Sequence, residues 1–267
     1  QFPHVIAAAI CTAAFFVLGI SAWKIRSGSE YADLFKRSFD LALILGFCGL
    51  VAAMASGHLQ GQSVAKLQPM KLAAMENLRE TANPAPLSIV PGIEIPAMLS
   101  LMVHNKVSCE VKGINELQKQ MEQRYGPGNY TPPIWIPYIS FRLMVGASLL
   151  MLFLLFYGII WHLLLKKNMH KKMLILLVFG MCLPYLANTA GWLIAEVGRQ
   201  PWVVYGIMPT EKAVSLGVSK GGVIFSIVAY TIIYSTLAVM MVLFMRAEVL
   251  HGQIEKKITR KNKAATL

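Results

Sequence analysis

Apolar runs long enough to cross a lipid bilayer recur five times in this chain, at roughly 3–24, 39–57, 135–165, 172–196 and 222–246. A helix rises about 1.5 Å per residue, so about 20 such residues cross a hydrocarbon layer of about 30 Å. Hydrophobic residues make up 56% of the 267, charged residues only 14%, and the mean hydropathy is +0.55. A soluble domain of this size needs far more polar surface. A membrane β-barrel needs alternating polarity in short segments, and these runs are apolar throughout. The expected fold is therefore all-α: a polytopic membrane bundle of five helices.

Short-loop charge sets the expected orientation. Basic residues gather at Lys24, Arg26, Lys36 and Arg37, at Lys166, Lys167, Lys171 and Lys172, and in a tail with Lys256, Lys257, Arg260, Lys261 and Lys263. With five spans all three clusters fall on one side, which the positive-inside rule makes cytoplasmic. The same placement explains the net charge of +12 without nucleic acid as a partner, and membrane lipid takes that role. The chain divides into two spans (1–57), one long extracytoplasmic loop (58–134), two spans (135–196), an outer loop (197–221), and a last span with a basic cytoplasmic tail (222–267). The long loop holds two Pro/Gly clusters, at 83–92 and 126–133, and a helix-forming stretch at 71–80. Loops of this length are usually functional, so it reads as a lid or interaction segment. Trp135, Pro137 and Tyr138 mark where the third span meets the water boundary. Cys11, Cys48, Cys109 and Cys182 are scattered, with no metal or redox spacing. The opening at Gln1, directly on an apolar run, reads as a start within a domain.

A charge inside a span costs about 2.5–3.5 kcal/mol at mid-membrane, so each one needs a reason. Asp40 opens the second span and suits a helix amino terminus. Glu196 follows a full apolar run. It is either an interfacial carboxylate paired with Arg199 at i,i+3, or a ligand or proton site. Arg142, inside the third span, either extends to the surface or clamps an anionic group. Met144 alone reads as core filler and His4 alone as an interfacial histidine. Taken together, His4, Arg142, Met144, Glu196 and Arg199 all lie in the outward halves of their spans. A histidine and a methionine on separate helices at similar depth suit the two faces of one haem, with arginines for its propionates.

Four stretches in order, "QFPH" (1–4), "KLAAME" (71–76), "FRLM" (141–144) and above all "GWLIAEVGRQPW" (191–202), resemble subunit I of the cytochrome bd quinol oxidases. The five spans match the last five of that family's nine. The resemblance implies that His4 and Met144 are axial ligands of the low-spin haem b iron, with Arg142 close to that haem. It implies that Glu196 ligates the high-spin haem b iron, that Trp192 packs between haems, and that Arg199 supports them electrostatically. Lys71 and Glu76 are then the quinol-site residues, one hydrogen-bonding a quinone oxygen and the other accepting its proton. Read without the resemblance, the same two residues lie on a solvated loop helix.

The function so implied is quinol oxidation at the outer face of a bacterial cytoplasmic (inner) membrane. Electrons pass through two b-type haems to haem d, where oxygen becomes water, and the protons contribute to a gradient. The expected partners are subunit II and the N-terminal half of subunit I, whose four helices and haem d ligand are absent from this sequence. The alternatives are a five-helix transporter or channel fragment with Glu196 as its coupling site, and a remnant without catalysis. Broken helices, a polar pathway and absence of haem bands mark the first, and Met144→Leu separates the second, since it changes the spectrum only where Met144 is a ligand.

Overall fold

The computed structural model describes residues 1–264 apart from 30 and 216, without the side chains of 32 and 250–264. The basic side chains expected at 256–263 lie outside the described ones. The contacts divide the chain into two units, 1–213 and 214–267. The first unit opens with α1 (Phe2–Arg26) and α2 (Ala32–Leu67). Pro3 sits in the first turn of α1, where its missing N–H matters least. The two helices pack antiparallel through small residues on α2. A Cβ added to Gly57 would meet the His4 ring, one on Gly49 would lie 3.1 Å from the Cys11 amide nitrogen, and one on Gly46 would lie 3.3 Å from the Ala14 Cβ. Small residues let helix backbones approach closely where no water is available to drive association. Replacing Gly49 by alanine therefore forces backbone against backbone. The expected loss is about 1–3 kcal/mol, read as a lower melting temperature of the detergent-solubilised protein.

The long loop is a folded cap. Pro69 cannot continue α2, so the chain turns at Gln68 into α3 (Pro69–Glu76), which closes on Asn77 in the left-handed region (φ 51°). After α3 come a hairpin, β1 (Leu87–Val90) and β2 (Ile93–Ile95), turned by Pro91–Gly92, and then α4 (Met98–His104) and α5 (Ile114–Tyr125). Gly92 has φ +88°, which suits the third position of a Pro-Gly turn. An eight-residue helix is unstable alone. Here Met70 and Ala73 pack on Ile114, Leu117 and Met121, while Leu72 packs with Leu99, Val103 and Val111. Every residue of α3 after Pro69 is buried.

The third span is α6 (Trp135–Gly158), which ends in a wider π-type turn at Ile159–Leu164. The fourth is broken in two, α7 (Lys171–Gly180) and α8 (Leu183–Val197), with Pro184 in the first turn of α8. A small hairpin, β3 (Trp202–Val204) and β4 (Met208–Pro209), ends the first unit. The core there is built by Phe15, Leu18, Leu43, Leu155 and Leu177 from α1, α2, α6 and α7. The second unit contains α9 (Lys220–Ala264).

All five expected spans are helical, over Phe2–Arg26, Asp33–Leu67, Trp135–Leu164, Lys171–Val197 and Lys220–Val249. The fold is all-α, and its only described sheets are two short hairpins. Beyond the break in the fourth span and the early end of α3, two details differ from expectation. α2 runs about ten residues past its apolar stretch, to Leu67, because a helix needs no apolar residues once it leaves the bilayer. Asp40 does not open α2. It lies in the third turn, where it meets His162 Nε2 at 3.0 Å, so its partner is a side chain and not a helix amino terminus.

Candidate functional site

His4 lies in the first turn of α1 and is held by α2. Its Nδ1 is 2.9 Å from the Ala53 carbonyl and 3.2 Å from Ser56 Oγ. A carbonyl only accepts, so Nδ1 carries the proton and the Nε2 lone pair is available to a metal. Gly57 makes the room: a Cβ there would lie 3.2 Å from the ring's Cε1. Met144, on α6, faces α8 across Gly191, where an added Cβ would sit 3.4 Å from its sulfur. α1 and α6 each pack against both α2 and α8, so the two side chains belong to neighbouring walls of one bundle.

Glu196 and Arg199 form an ion pair through Oε2 and Nη2, one turn apart near the end of α8. Both are partly exposed, so the pair adds little to stability. Trp192, one turn earlier, is 61% exposed. Among the described residues no three His, Cys, Asp or Glu side chains converge on one point. A histidine with a free Nε2, a thioether across a glycine cradle and a carboxylate beside an arginine are a donor set that fits haem.

Arg142 does not extend to the surface. Its guanidinium turns to the end of α3, where Nη2 donates to Glu76 Oε2 at 2.8 Å. It also donates to the backbone carbonyls of Met75, Ser88 and Tyr138, and lies 3.8 Å over the Tyr138 ring. The anionic group it clamps is this chain's own carboxylate. Glu76 is almost fully enclosed, with a side chain 1% exposed, and its Oε1 is buried without a hydrogen-bond partner. Burial pushes its carboxyl up to about 7 despite the opposing pull of Arg142. Tyr138 hydroxyl and Ser88 Oγ share a hydrogen bond of 2.9 Å beside the pair. Next to them opens a cleft of about 820 Å³, lined by Asn77, Arg79, Pro91, Trp135, Tyr138 and Ile139 among others.

Lys71 goes elsewhere. Its Nζ donates to the Ala195 carbonyl of α8 at 3.4 Å. Burial and the nearby Arg199 lower its pKa, and Glu196 opposes them. The structure therefore brings together Glu76 with Arg142, and Lys71 with Glu196 and Arg199. Sequence reasoning missed Ser88 entirely, since nothing marks a hairpin serine. Tyr138 carried a usable signal, because it stands four residues before an arginine inside a span.

The sequence pattern of the family described as cytochrome bd terminal oxidase subunit I matches residues 1–253. The chain belongs to that family. The bd subunit I relatives include the cytochrome bd ubiquinol oxidase subunit 1 of Bacillus subtilis, 38% identical over 264 residues and covering 94% of this chain and 56% of that protein. A putative cytochrome bd menaquinol oxidase subunit I of the same organism is 31% identical over 250 residues, covering 88% of this chain and 53% of that protein. The solved bd oxidase of Geobacillus thermodenitrificans superposes with a TM-score of 0.70 at 30% identity, covering 91% of this chain and 57% of that one. The chain thus spans a little over half the length of the bd subunits it matches.

Proposed function

We propose that this chain is part of a quinol:oxygen oxidoreductase of the bd type in a bacterial cytoplasmic membrane, with the long loop outside and the C-terminus in the cytoplasm. The observation that carries the reading is the Glu76–Arg142 pair, a buried carboxylate with one free oxygen beside a cleft at the membrane boundary, in a member of this family. Quinol enters at the cleft, where Trp135, Tyr138 and Ile139 offer apolar cover for its ring. Glu76 accepts a hydroxyl proton at Oε1, and a carboxyl near pH 7 suits both receiving and releasing it. Arg142 holds that carboxylate still and neutralises its charge while it is empty.

His4 and Met144 would hold the low-spin haem b iron and Glu196 the high-spin haem b iron, with Trp192 and Arg199 beside those groups. Bound there, the haems would supply one-electron transfer and, at haem d, the chemistry that reduces oxygen to water. Around them the chain's own residues fix ligand geometry: the Ala53 carbonyl orients the imidazole, and Gly57 and Gly191 leave the space. Haem d is assigned to no residue of this chain. The partner is subunit II. Quinol protons leave on the outer side and those for water arrive from the cytoplasm, so each charge moved works against about 2.3 kcal/mol per 100 mV.

Met144→Leu tests the ligand assignment. Leucine conserves volume and costs less than about 1.5 kcal/mol as packing, but it offers iron no lone pair. In the assembled oxidase the reduced-minus-oxidised spectrum is expected to lose its low-spin band and gain high-spin character. A spectrum identical to that of the unsubstituted protein removes Met144 from the iron.

A further inference from the structure

Trp202 closes the twelve-residue stretch that begins at Gly191, and the proposed reaction leaves it unused. It opens β3 of the small hairpin after α8 and pairs there with Pro209. It is the only residue of β3 and β4 that is buried, at 3% exposure. Around it Val203, Val204, Ile207 and Met208 stand exposed. A hairpin this small does not hold its shape alone in water, so its one buried side chain is its anchor.

The anchorage lies in the cap. The indole stacks on the Tyr130 ring at 5.7 Å and 15°, meets Tyr125 edge-on at 5.0 Å, and lies 6.1 Å from Tyr205. Offset stacks and edge contacts are the arrangements that aromatic rings prefer. Tyr125 ends α5, and Tyr130 is fastened to α5 by its amide, which donates to Gln118 Oε1 at 2.9 Å. Tyr130 and Tyr205 pack in turn on the cluster that Met70 and Ala73 of α3 form with α5. Gly206 permits the fit: its φ is +73°, and a Cβ there would lie 2.8 Å from the Tyr125 hydroxyl. Trp202 Nε1 is buried without a hydrogen-bond partner, so the indole serves as a flat apolar wall and not as a donor. At the base of the hairpin, Gln200 Nε2 donates to the Glu196 carbonyl at 3.4 Å and Thr210 Oγ1 donates to Gln200 Oε1 at 2.9 Å. The joint thus runs unbroken from the end of α8 to α3.

We infer that Trp202 is a positioning residue for quinol oxidation, holding α3 in place through Tyr130 and Tyr205 from the loop that follows α8. The inference rests on the proposed assignment of the cap as the quinol site. α3 is eight residues long and carries Glu76 at its end, against Arg142 of α6. So short a helix keeps its place only by what packs on it. Without the indole, Tyr130 and Tyr205 lose their common wall, α3 gains freedom, and Glu76 leaves its enclosure. A reacting group misplaced by about 1 Å costs about 10²-fold in rate.

The test joins hydrogen exchange of the segment 69–76 in the assembled oxidase with steady-state quinol kinetics. Trp202→Ala should speed exchange there and lower kcat/KM for quinol by about 10²-fold, with the haem bands unchanged. The rise of kcat/KM with pH should also move from about 7 toward 4.5, because burial holds the Glu76 carboxyl up against the pull of Arg142. Trp202→Phe keeps a ring without Nε1 and should stay within about threefold of the unsubstituted oxidase. Gly206→Ala presses on Tyr125 from the turn of the hairpin and should speed the same exchange, even if Trp202→Ala does not assemble. Unchanged exchange over 69–76 in the alanine variants overturns the inference. So does a Trp202→Phe variant as slow as Trp202→Ala, which would give Nε1 a bound partner. Glu76→Gln separates the two layers. If it leaves oxygen uptake unchanged, the quinol assignment of the cap fails and takes the Trp202 role with it. If it cuts uptake and Trp202→Ala leaves kcat/KM unmoved, only the Trp202 role fails.

Discussion

Glu76→Gln is expected to cut quinol-driven oxygen uptake by about 10²- to 10⁴-fold, the range a positioned general base contributes. Glutamine keeps the shape and an oxygen to accept from Arg142 Nη2, so α3 and its contacts stay in place. What disappears is the ability to take a proton. The pH profile carries the same signature. The carboxyl titrates at about 7 instead of its ordinary 4.5, and only its deprotonated form accepts a proton, so kcat/KM for quinol should rise with pH through about 7. The glutamine variant should be flat there. Haem bands should be untouched, because Glu76 is no proposed ligand. Uptake equal to that of the unsubstituted oxidase would remove Glu76 from the reaction.

Arg142→Leu is expected to loosen the cap. Removing one partner of a buried ion pair costs about 3–5 kcal/mol, and the 18% exposure of Arg142 places this site at the lower end. The Met75 and Ser88 carbonyls lose a donor at the same time. The effect depends on pH with a definite sign. The folded-state pKa of Glu76, about 7, stands above its ordinary 4.5, so its stabilising contribution is complete below about 4.5 and is lost as pH rises through 7. Without Arg142 the carboxyl is pushed higher still, and the gap between variant and unsubstituted protein should widen as pH rises. Hydrogen exchange of the segment 69–95 in the assembled oxidase reads this directly. Unchanged protection there would show that the pair does not hold the cap.

The five spans were legible because crossing a bilayer demands an apolar run, and a run is visible in one dimension. The last ten residues of α2 were not, since "HLQGQSVAKL" reads as loop by polarity although its backbone keeps winding. Pro184 hinted at the break in the fourth span, whereas no residue announces the π-type turn at 159–164. In the site, the cost of a charge in a span left two readings for Arg142, extension to the surface or an anion, and did not choose between them. Its partner was not legible, because Glu76 lies 66 residues away and only the folding of the cap joins them. The grouping of Lys71 with Glu76 followed from their nearness in sequence, and helical rotation separates them. The carbonyls of Ala53, Met75, Ser88 and Ala195 were beyond reach, since every residue has one and its direction is a property of the fold.

The seam where Gly57, Gly49 and Gly46 accept His4, Cys11 and Ala14 works as a vernier. Close contacts at three points along the seam set the depth of the imidazole, and not only the one where it sits. A slip of one turn would carry the ring about 5.4 Å along the axis, far outside the tolerance of the coordinate bond proposed for His4. Substitutions at the oily middle of that seam, remote from any chemistry, should therefore mimic loss of the proposed ligand itself.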